Sequence, residues 1–351
     1  MHKDTRRPPF RSTRHRDAAL ADAYTRRMSR PHRTAHSRGP ERYLATYPAG
    51  TWDIIVRDLK SFRPNQLLIG DHDGSSALLE TTLPAERLVE IRYFTNAYLV
   101  VKRPEELDRR MLKGAHYSLS MLDNGRPVRM AEEDRRRIGG GIESTLGLLP
   151  DTHRSRNDFC LISRASGSRM LTLRLPRARF KRDKTAAGEL RPELAHVLCL
   201  AAKLRAKHRV LDMFAGHGSI PLEATRGFGC RDVIAVDRSL EEDRREHPGI
   251  EWHRADARDL SFIADGSVDR VITDPPWGTY DAKIPDLSAT YEAAFREISR
   301  VLRPDGIAVM LTGYDEATGC AQAASELRLT GSWPILVSGR KATIIRFHRE
   351  H

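Results

Sequence analysis

Several short apolar runs in this chain end on an acid, and that pattern limits its fold more than any other feature. Arg209-Val210-Leu211-Asp212 is the first, and Val233-Ile234-Ala235-Val236-Asp237 is the second. Val268-Asp269-Arg270-Val271-Ile272-Thr273, closed by Asp274, is the last. Each has the length of a buried strand. After the first comes Gly216-His217-Gly218-Ser219-Ile220-Pro221. The Gly-x-Gly lets backbone pass close to a ligand. Ser219 can cap a helix, and Pro221 suits its first turn. Strand, glycine turn, helix and strand in this order predict an α/β fold, with the acids along one sheet edge lining a ligand crevice.

The acids suit particular partners. Asp237 stands 19 positions after Gly218, where an acid accepts from ribose hydroxyls. Asp256, in Arg254-Ala255-Asp256-Ala257-Arg258-Asp259, can hold an adenine amino group. Ile272-Thr273-Asp274-Pro275-Pro276-Trp277-Gly278 can grip a flat ring bearing an exocyclic amine. The Asp274 oxygen and the Pro275 carbonyl both accept from the amine, the prolines fix the backbone, and Trp277 lies on the ring face. Taken singly, each acid is a helix cap or turn residue, and Pro-Pro is a tight turn after a strand.

From about residue 185 to the end, this order of motifs resembles the class I S-adenosylmethionine-dependent methyltransferases. Asp212, Gly216 and Gly218 match that family's methionine-binding loop, with Phe214 inside it. Asp237 matches the ribose-binding acid. Asp256 matches the adenine-contacting acid, with Ala257 beside it. Asp274, Pro275, Pro276 and Trp277 match the catalytic [Asp/Asn/Ser]-Pro-Pro-aromatic motif of amino-directed members. Gly188-Glu189-Leu190-Arg191-Pro192-Glu193-Leu194-Ala195 and the run from Asp286 to Gly313 resemble the THUMP-containing tRNA guanine-N2 methyltransferases. His217, Ser219 and Asp274 depart from that subgroup, which commonly has Ser, Thr and Asn there. The resemblance implies a Rossmann-like domain of seven strands with an antiparallel edge. It also implies S-adenosylmethionine as cofactor and methylation of an RNA amino group, guanine N2 of tRNA first. The tetrapeptide equally serves rRNA guanine N2, DNA adenine N6 and protein glutamine. Two other classes compete: an NAD-dependent oxidoreductase, opposed by Pro221 in place of a third glycine, and a non-catalytic RNA-binding protein, opposed by the intact acids.

Two domains are expected of 351 residues. No apolar run reaches the roughly 20 residues that span a bilayer, and none near the start suggests a secretory signal. Cys160, Cys199, Cys230 and Cys320 have no metal spacing, so free thiols in a cytoplasmic protein and no metal are expected. A monomer is the expected state. The net charge of +12 favours a polyanionic partner such as RNA. Most of it lies in residues 1–42, where 12 Lys or Arg oppose 4 Asp or Glu. That tail reads as disordered, and as an RNA arm, a passive extension or a targeting segment.

Residues 43–182 form the expected second region, with the methyltransferase domain at 183–351. Tyr43 to Pro48 reads as a strand, and Thr51 to Phe62 as a helix capped by Thr51. A hairpin follows at Asp71 to Gly74, then a helix from Pro84 to Phe94 and a strand from Ala97 to Val101. This βαββαβ order suggests a ferredoxin-like unit. Strands at Tyr117 to Met121, Phe159 to Leu161 and Met170 to Leu175 continue it as an α+β, THUMP-type region. Ala131 to Ile138 reads as a helix that Gly139-Gly140-Gly141 ends or loosens. Arg174, Arg177, Arg179, Lys181 and Arg182 are candidate phosphate contacts. Further on, Leu287, Tyr291, Phe295, Ile298 and Leu302 share a helical face. Pro304-Asp305-Gly306 is expected to end that helix, Ile307 to Leu311 to form a strand, and Trp333 to Phe347 to supply two more.

Overall fold

The computed structural model describes residues 40–62, 66–176, 189–240, 248–278, 286–324 and 326–349. Most of the basic tail, and Arg177, Arg179, Lys181 and Arg182, lie outside them. Among the described residues no helix is long and apolar enough to cross a membrane. The chain divides into two compact units, one drawn from Arg33–Leu200 with Ser332–Ile344, the other from Ala201–Gly331 with Ile345–His351.

The N-terminal unit begins with β1 (Glu41–Thr46), α1 (Trp52–Leu59), β2 (Leu67–His72), β3 (Ser76–Thr81), α2 (Ala85–Val89) and β4 (Asn96–Val100). The βαββαβ order is the expected one. It continues through β5 (His116–Asp123), β6 (Arg126–Val128), α3 (Glu132–Leu146), β7 (Leu149–Pro150), β8 (Asn157–Ser163), β9 (Arg169–Arg174) and α4 (Pro192–Ala201). All nine strands join one sheet in the order β2-β3-β1-β4-β9-β8-β5-β6, with β7 on β5. β1 pairs antiparallel with β3 and β4, while β5 and β8 run parallel. Asp73 closes the β2–β3 hairpin by accepting from the backbone N–H of Ser75 and Ser76 at 3.0 and 2.7 Å. Arg174 donates to the Asn96 side chain, so within the unit it has a structural partner.

Three local expectations need correction. The helix expected from Pro84 to Phe94 spans only Ala85–Val89. Thr51 precedes α1, but its hydroxyl donates back to the Pro48 carbonyl at 2.7 Å and caps no helical N–H. The helix forms on its buried face, Ile54, Ile55 and Leu59. The triple glycine does not end α3, which runs to Leu146 and stops at Gly147 in the left-handed region (φ +69°). Ile138, Ile142 and Leu146 bury one stripe across it, enough to offset about 1 kcal/mol per glycine. A Cβ at Gly139 would stand 3.0 Å from the Tyr117 hydroxyl, which donates to Glu143 at 2.8 Å.

The C-terminal unit opens with β10 (Arg209–Asp212), α5 (Ser219–Phe228), β11 (Asp232–Asp237), β12 (Ile250–Arg254) and β13 (Val268–Thr273). α6 (Leu287–Val301), β14 (Leu302–Thr312), α7 (Ala317–Ala324), β15 (Leu327–Val337) and β16 (Arg340–Arg349) follow, with the Ser332–Ile344 part of the last two strands counted in the other unit. The seven strands lie in the order β12-β11-β10-β13-β14-β16-β15. The first five are mutually parallel. β15 and β16 are neighbours joined by Ser338 and Gly339, both at positive φ, a two-residue turn that only antiparallel strands can use. From β10 the chain adds strands on one side and later, with β13, on the other. The reversal opens a crevice between the carboxyl ends of β10 and β13.

Asp286 starts α6 by accepting from the Ala289 N–H at 2.9 Å. Tyr291, Ala294, Phe295, Ile298 and Val301 form its buried face. Leu302 does not belong to it: the helix ends at Val301 and Leu302 is already extended. Arg303 precedes proline, which disfavours the helical region there. Pro304-Asp305-Gly306 lies within β14, whose register against β13 shifts between Val268 and Arg270.

Candidate active site

Because β10, β11 and β13 are parallel, Asp212, Asp237 and Thr273 finish at the same sheet edge. Asp212 is 1 % exposed. The Thr273 hydroxyl donates to its Oδ1 at 2.8 Å, and the Phe214 N–H reaches the same oxygen at 3.2 Å. Burial pushes the Asp212 carboxyl up to about 8, and the charges of Asp274 and Asp237 push the same way. Phe214 packs its ring against the core.

The glycine loop is tied to β11. The Ala215 N–H donates to the Val236 carbonyl at 2.9 Å, and the Gly216 N–H to Asp237 Oδ2 at 2.8 Å. The Ser239 N–H occupies Asp237 Oδ1 at 2.8 Å. Each carboxylate oxygen keeps a second lone pair for an incoming hydroxyl. Gly216 and Gly218 have φ of +46° and +82°. A Cβ at Gly218 would stand 2.6 Å from the Trp252 ring, so this glycine admits the indole of β12 beneath the loop.

Asp256 is held by a neighbouring arginine. Both of its oxygens accept from the Arg258 guanidinium, at 3.0 and 2.8 Å, and the Arg258 N–H adds a third bond at 2.9 Å. The Arg258 side chain holds its carboxyl below the usual range. Ala257 is buried with its methyl in the core, leaving its backbone for any ligand contact.

Asp274 follows β13 and is half-buried. The Trp277 indole N–H donates to its Oδ1 at 2.9 Å. Burial pushes the Asp274 carboxyl up to about 7. The Pro276 carbonyl accepts from the Tyr291 hydroxyl at 3.0 Å. Thr273, Tyr291 and Trp252 escape a reading by motif. The available signals are a hydroxyl ending an apolar strand, a tyrosine as the one hydroxyl-bearing residue of a buried helix face and a tryptophan on a short strand. At the far end of α6, Glu297 and Arg300 hold the loop after Asp256: the Leu260 N–H donates to Glu297 at 2.7 Å, and Arg300 donates to the Leu260 and Ile263 carbonyls at 2.8 Å.

Residues 231–329 match the RMKL-like methyltransferase domain family. The chain is 32% identical over 200 residues to a tRNA (guanine(6)-N2)-methyltransferase of Thermus thermophilus, covering 51% of this chain and 57% of the relative. It is 40% identical over 105 residues to a tRNA (guanine(10)-N2)-dimethyltransferase of Methanothermobacter thermautotrophicus, covering 28% of this chain and 30% of the relative. The alignments thus span less than two thirds of either curated relative. In fold, the chain is similar to the crystal structure of TrmN from Thermus thermophilus, with a TM-score of 0.72 at 24% identity, covering 88% of this chain and 99% of that one. Over residues 231–329 the chain is thus similar to methyltransferase domains of the RMKL-like type.

Proposed function

We propose that this chain transfers a methyl group from S-adenosylmethionine to an exocyclic amino group in RNA, with guanine N2 of tRNA as the substrate. The observation that carries the reading is Asp274-Pro275-Pro276-Trp277 at the end of β13, beside buried Asp212 at the end of the neighbouring β10. The relatives' printed activities support the substrate. When bound, S-adenosylmethionine supplies a methyl made electrophilic by its sulfonium.

The residues fit that cofactor. Asp212 is a buried acid held near neutrality, and an ammonium beside it restores its charge. Asp237 is pinned at a strand end with lone pairs to spare for ribose hydroxyls. Asp256 serves an adenine amino group by sharing oxygens already bonded to Arg258.

The amine of guanine is a weak nucleophile, because its lone pair is delocalised into the ring. Attack makes that nitrogen tetrahedral and partly positive. Asp274 and the Pro275 carbonyl stabilise this charge and aim the lone pair. Trp277 offers a ring face for stacking, worth about 1–3 kcal/mol per base. A paired target has to be unstacked to reach the site. Residues 43–182 serve as a ferredoxin-like and THUMP-type RNA-holding region, supported by the βαββαβ order and the strand succession β2-β3-β1-β4.

The test is incubation with methyl-labelled S-adenosylmethionine and total RNA, followed by digestion and nucleoside analysis. Label in N2-methylguanosine from small RNA supports the reading. Label confined to ribosomal RNA, DNA or protein removes it.

A further inference from the structure

We infer that Tyr291 is a positioning residue for the amine-facing loop, holding Pro276 through a one-way chain of hydrogen bonds that starts at the Tyr314 N–H just after β14. The inference rests on the methyl-transfer reading given above.

The direction of the chain follows from what each group can donate. A carbonyl only accepts, so the single proton of the Tyr291 hydroxyl goes to the Pro276 oxygen at 3.0 Å. Its oxygen lies 2.7 Å from Thr312 Oγ1, and with its own proton committed it must accept there. The Thr312 oxygen in turn accepts from the Tyr314 N–H at 2.9 Å. Backbone N–H, threonine, tyrosine and carbonyl therefore form one ordered relay. Tyr291 and Thr312 are 1 % and 2 % exposed, so water does not compete. Burial also pushes the Tyr291 hydroxyl up and keeps it protonated.

The loop needs this anchor. Pro275 and Pro276 have φ locked by their rings. Holding the Pro276 carbonyl fixes the following peptide plane, and with it the departure of Trp277. The Trp277 indole N–H then closes back on Asp274 at 2.9 Å. Acid and aromatic are thus set from opposite ends, by Thr273 and β13 on one side and by Tyr291 on the other. Without the hydroxyl, the peptide plane before Trp277 is free to turn, and the acceptors lose their aim.

Tyr291→Phe removes one hydroxyl and keeps the ring that packs on Tyr314 and Phe295. We expect kcat for RNA methylation to fall about 10- to 100-fold, with S-adenosylmethionine affinity by calorimetry within twofold of wild type. Thr312→Val should lower kcat less, and Thr312→Ser should restore it. An independent readout uses 15N-tryptophan labelling: the Trp277 indole N–H resonance, assigned with Trp277→Phe, should move in both Tyr291→Phe and Thr312→Val. Unchanged kcat in Tyr291→Phe, or an unmoved indole resonance, overturns the inference. So does a kcat loss matched by an equal loss of cofactor affinity. If Tyr291→Phe fails to fold, Thr312→Val decides by the same criteria. A wild-type chain that labels no RNA defeats the substrate reading instead, and the indole resonance still judges the relay.

Discussion

The Thr273 hydroxyl donates to Asp212 Oδ1 at 2.8 Å, joining the ends of two adjacent parallel strands where the order of strand addition reverses. One bond therefore links the strand that leads into the glycine loop with the strand that leads into Asp274. Thr273→Val keeps the shape and removes the donor. Leaving a buried acid short of a partner costs about 1–3 kcal/mol, and urea unfolding should show that loss.

Asp212 makes stability depend on pH. Its carboxyl is raised to about 8 in the folded chain against about 3.9 when unfolded. Between those values the folded state holds a proton that the unfolded state has lost. Its contribution is complete below about pH 4 and declines as pH rises through about 8. Asp212→Asn should flatten the fall of the urea midpoint over that window. An unaltered slope would show that Asp212 does not carry it.

Asp274 should shape the rate profile in the opposite sense. Its carboxyl titrates near 7, and the carboxylate is the form that stabilises a positive amine. Under single-turnover conditions the methylation rate should rise as pH climbs through about 7. Asp274→Asn should keep part of the activity and lose that limb. Asp274→Ala should stop transfer while calorimetry still detects cofactor binding.

Gly218→Ala should be costly on two counts. The position has φ of +82°, and the added carbon would stand 2.6 Å from the Trp252 ring. Backbone strain alone is on the order of 1–3 kcal/mol. Thermal unfolding should report the destabilisation, and cofactor affinity should fall with it. The double variant with Trp252→Leu should recover stability in part, since the clash is with the indole.

The parallel strands and their terminal acids were readable because both signals are local: an apolar run, then a charge. The two-residue spacing of Asp256 and Arg258 was local too, but a motif gives no sign that the arginine bonds both carboxylate oxygens. Thr273, Tyr291 and Trp252 stayed hidden because their roles depend on partners 61, 15 and 34 positions away, Asp212, Pro276 and Gly218. Gly139 misled because its packing against Tyr117 is a tertiary fact that outweighs helix propensity. The expected stop at Pro304 fell three residues late: proline restricts Arg303, but Leu302 has already left the helical region to begin β14.

β4 and β9 are hydrogen-bonded neighbours, with Leu99 opposite Leu173, so the first four strands and the later five share one ladder. Cutting the chain in the segment between Val100 and His116 would strip the partner from two interior strands at once. Each fragment would then present a bare row of backbone donors and acceptors, an invitation to clump with its own copies. The stretch from Glu41 to Arg174 should thus travel through evolution, and through any engineered fusion, as an indivisible module.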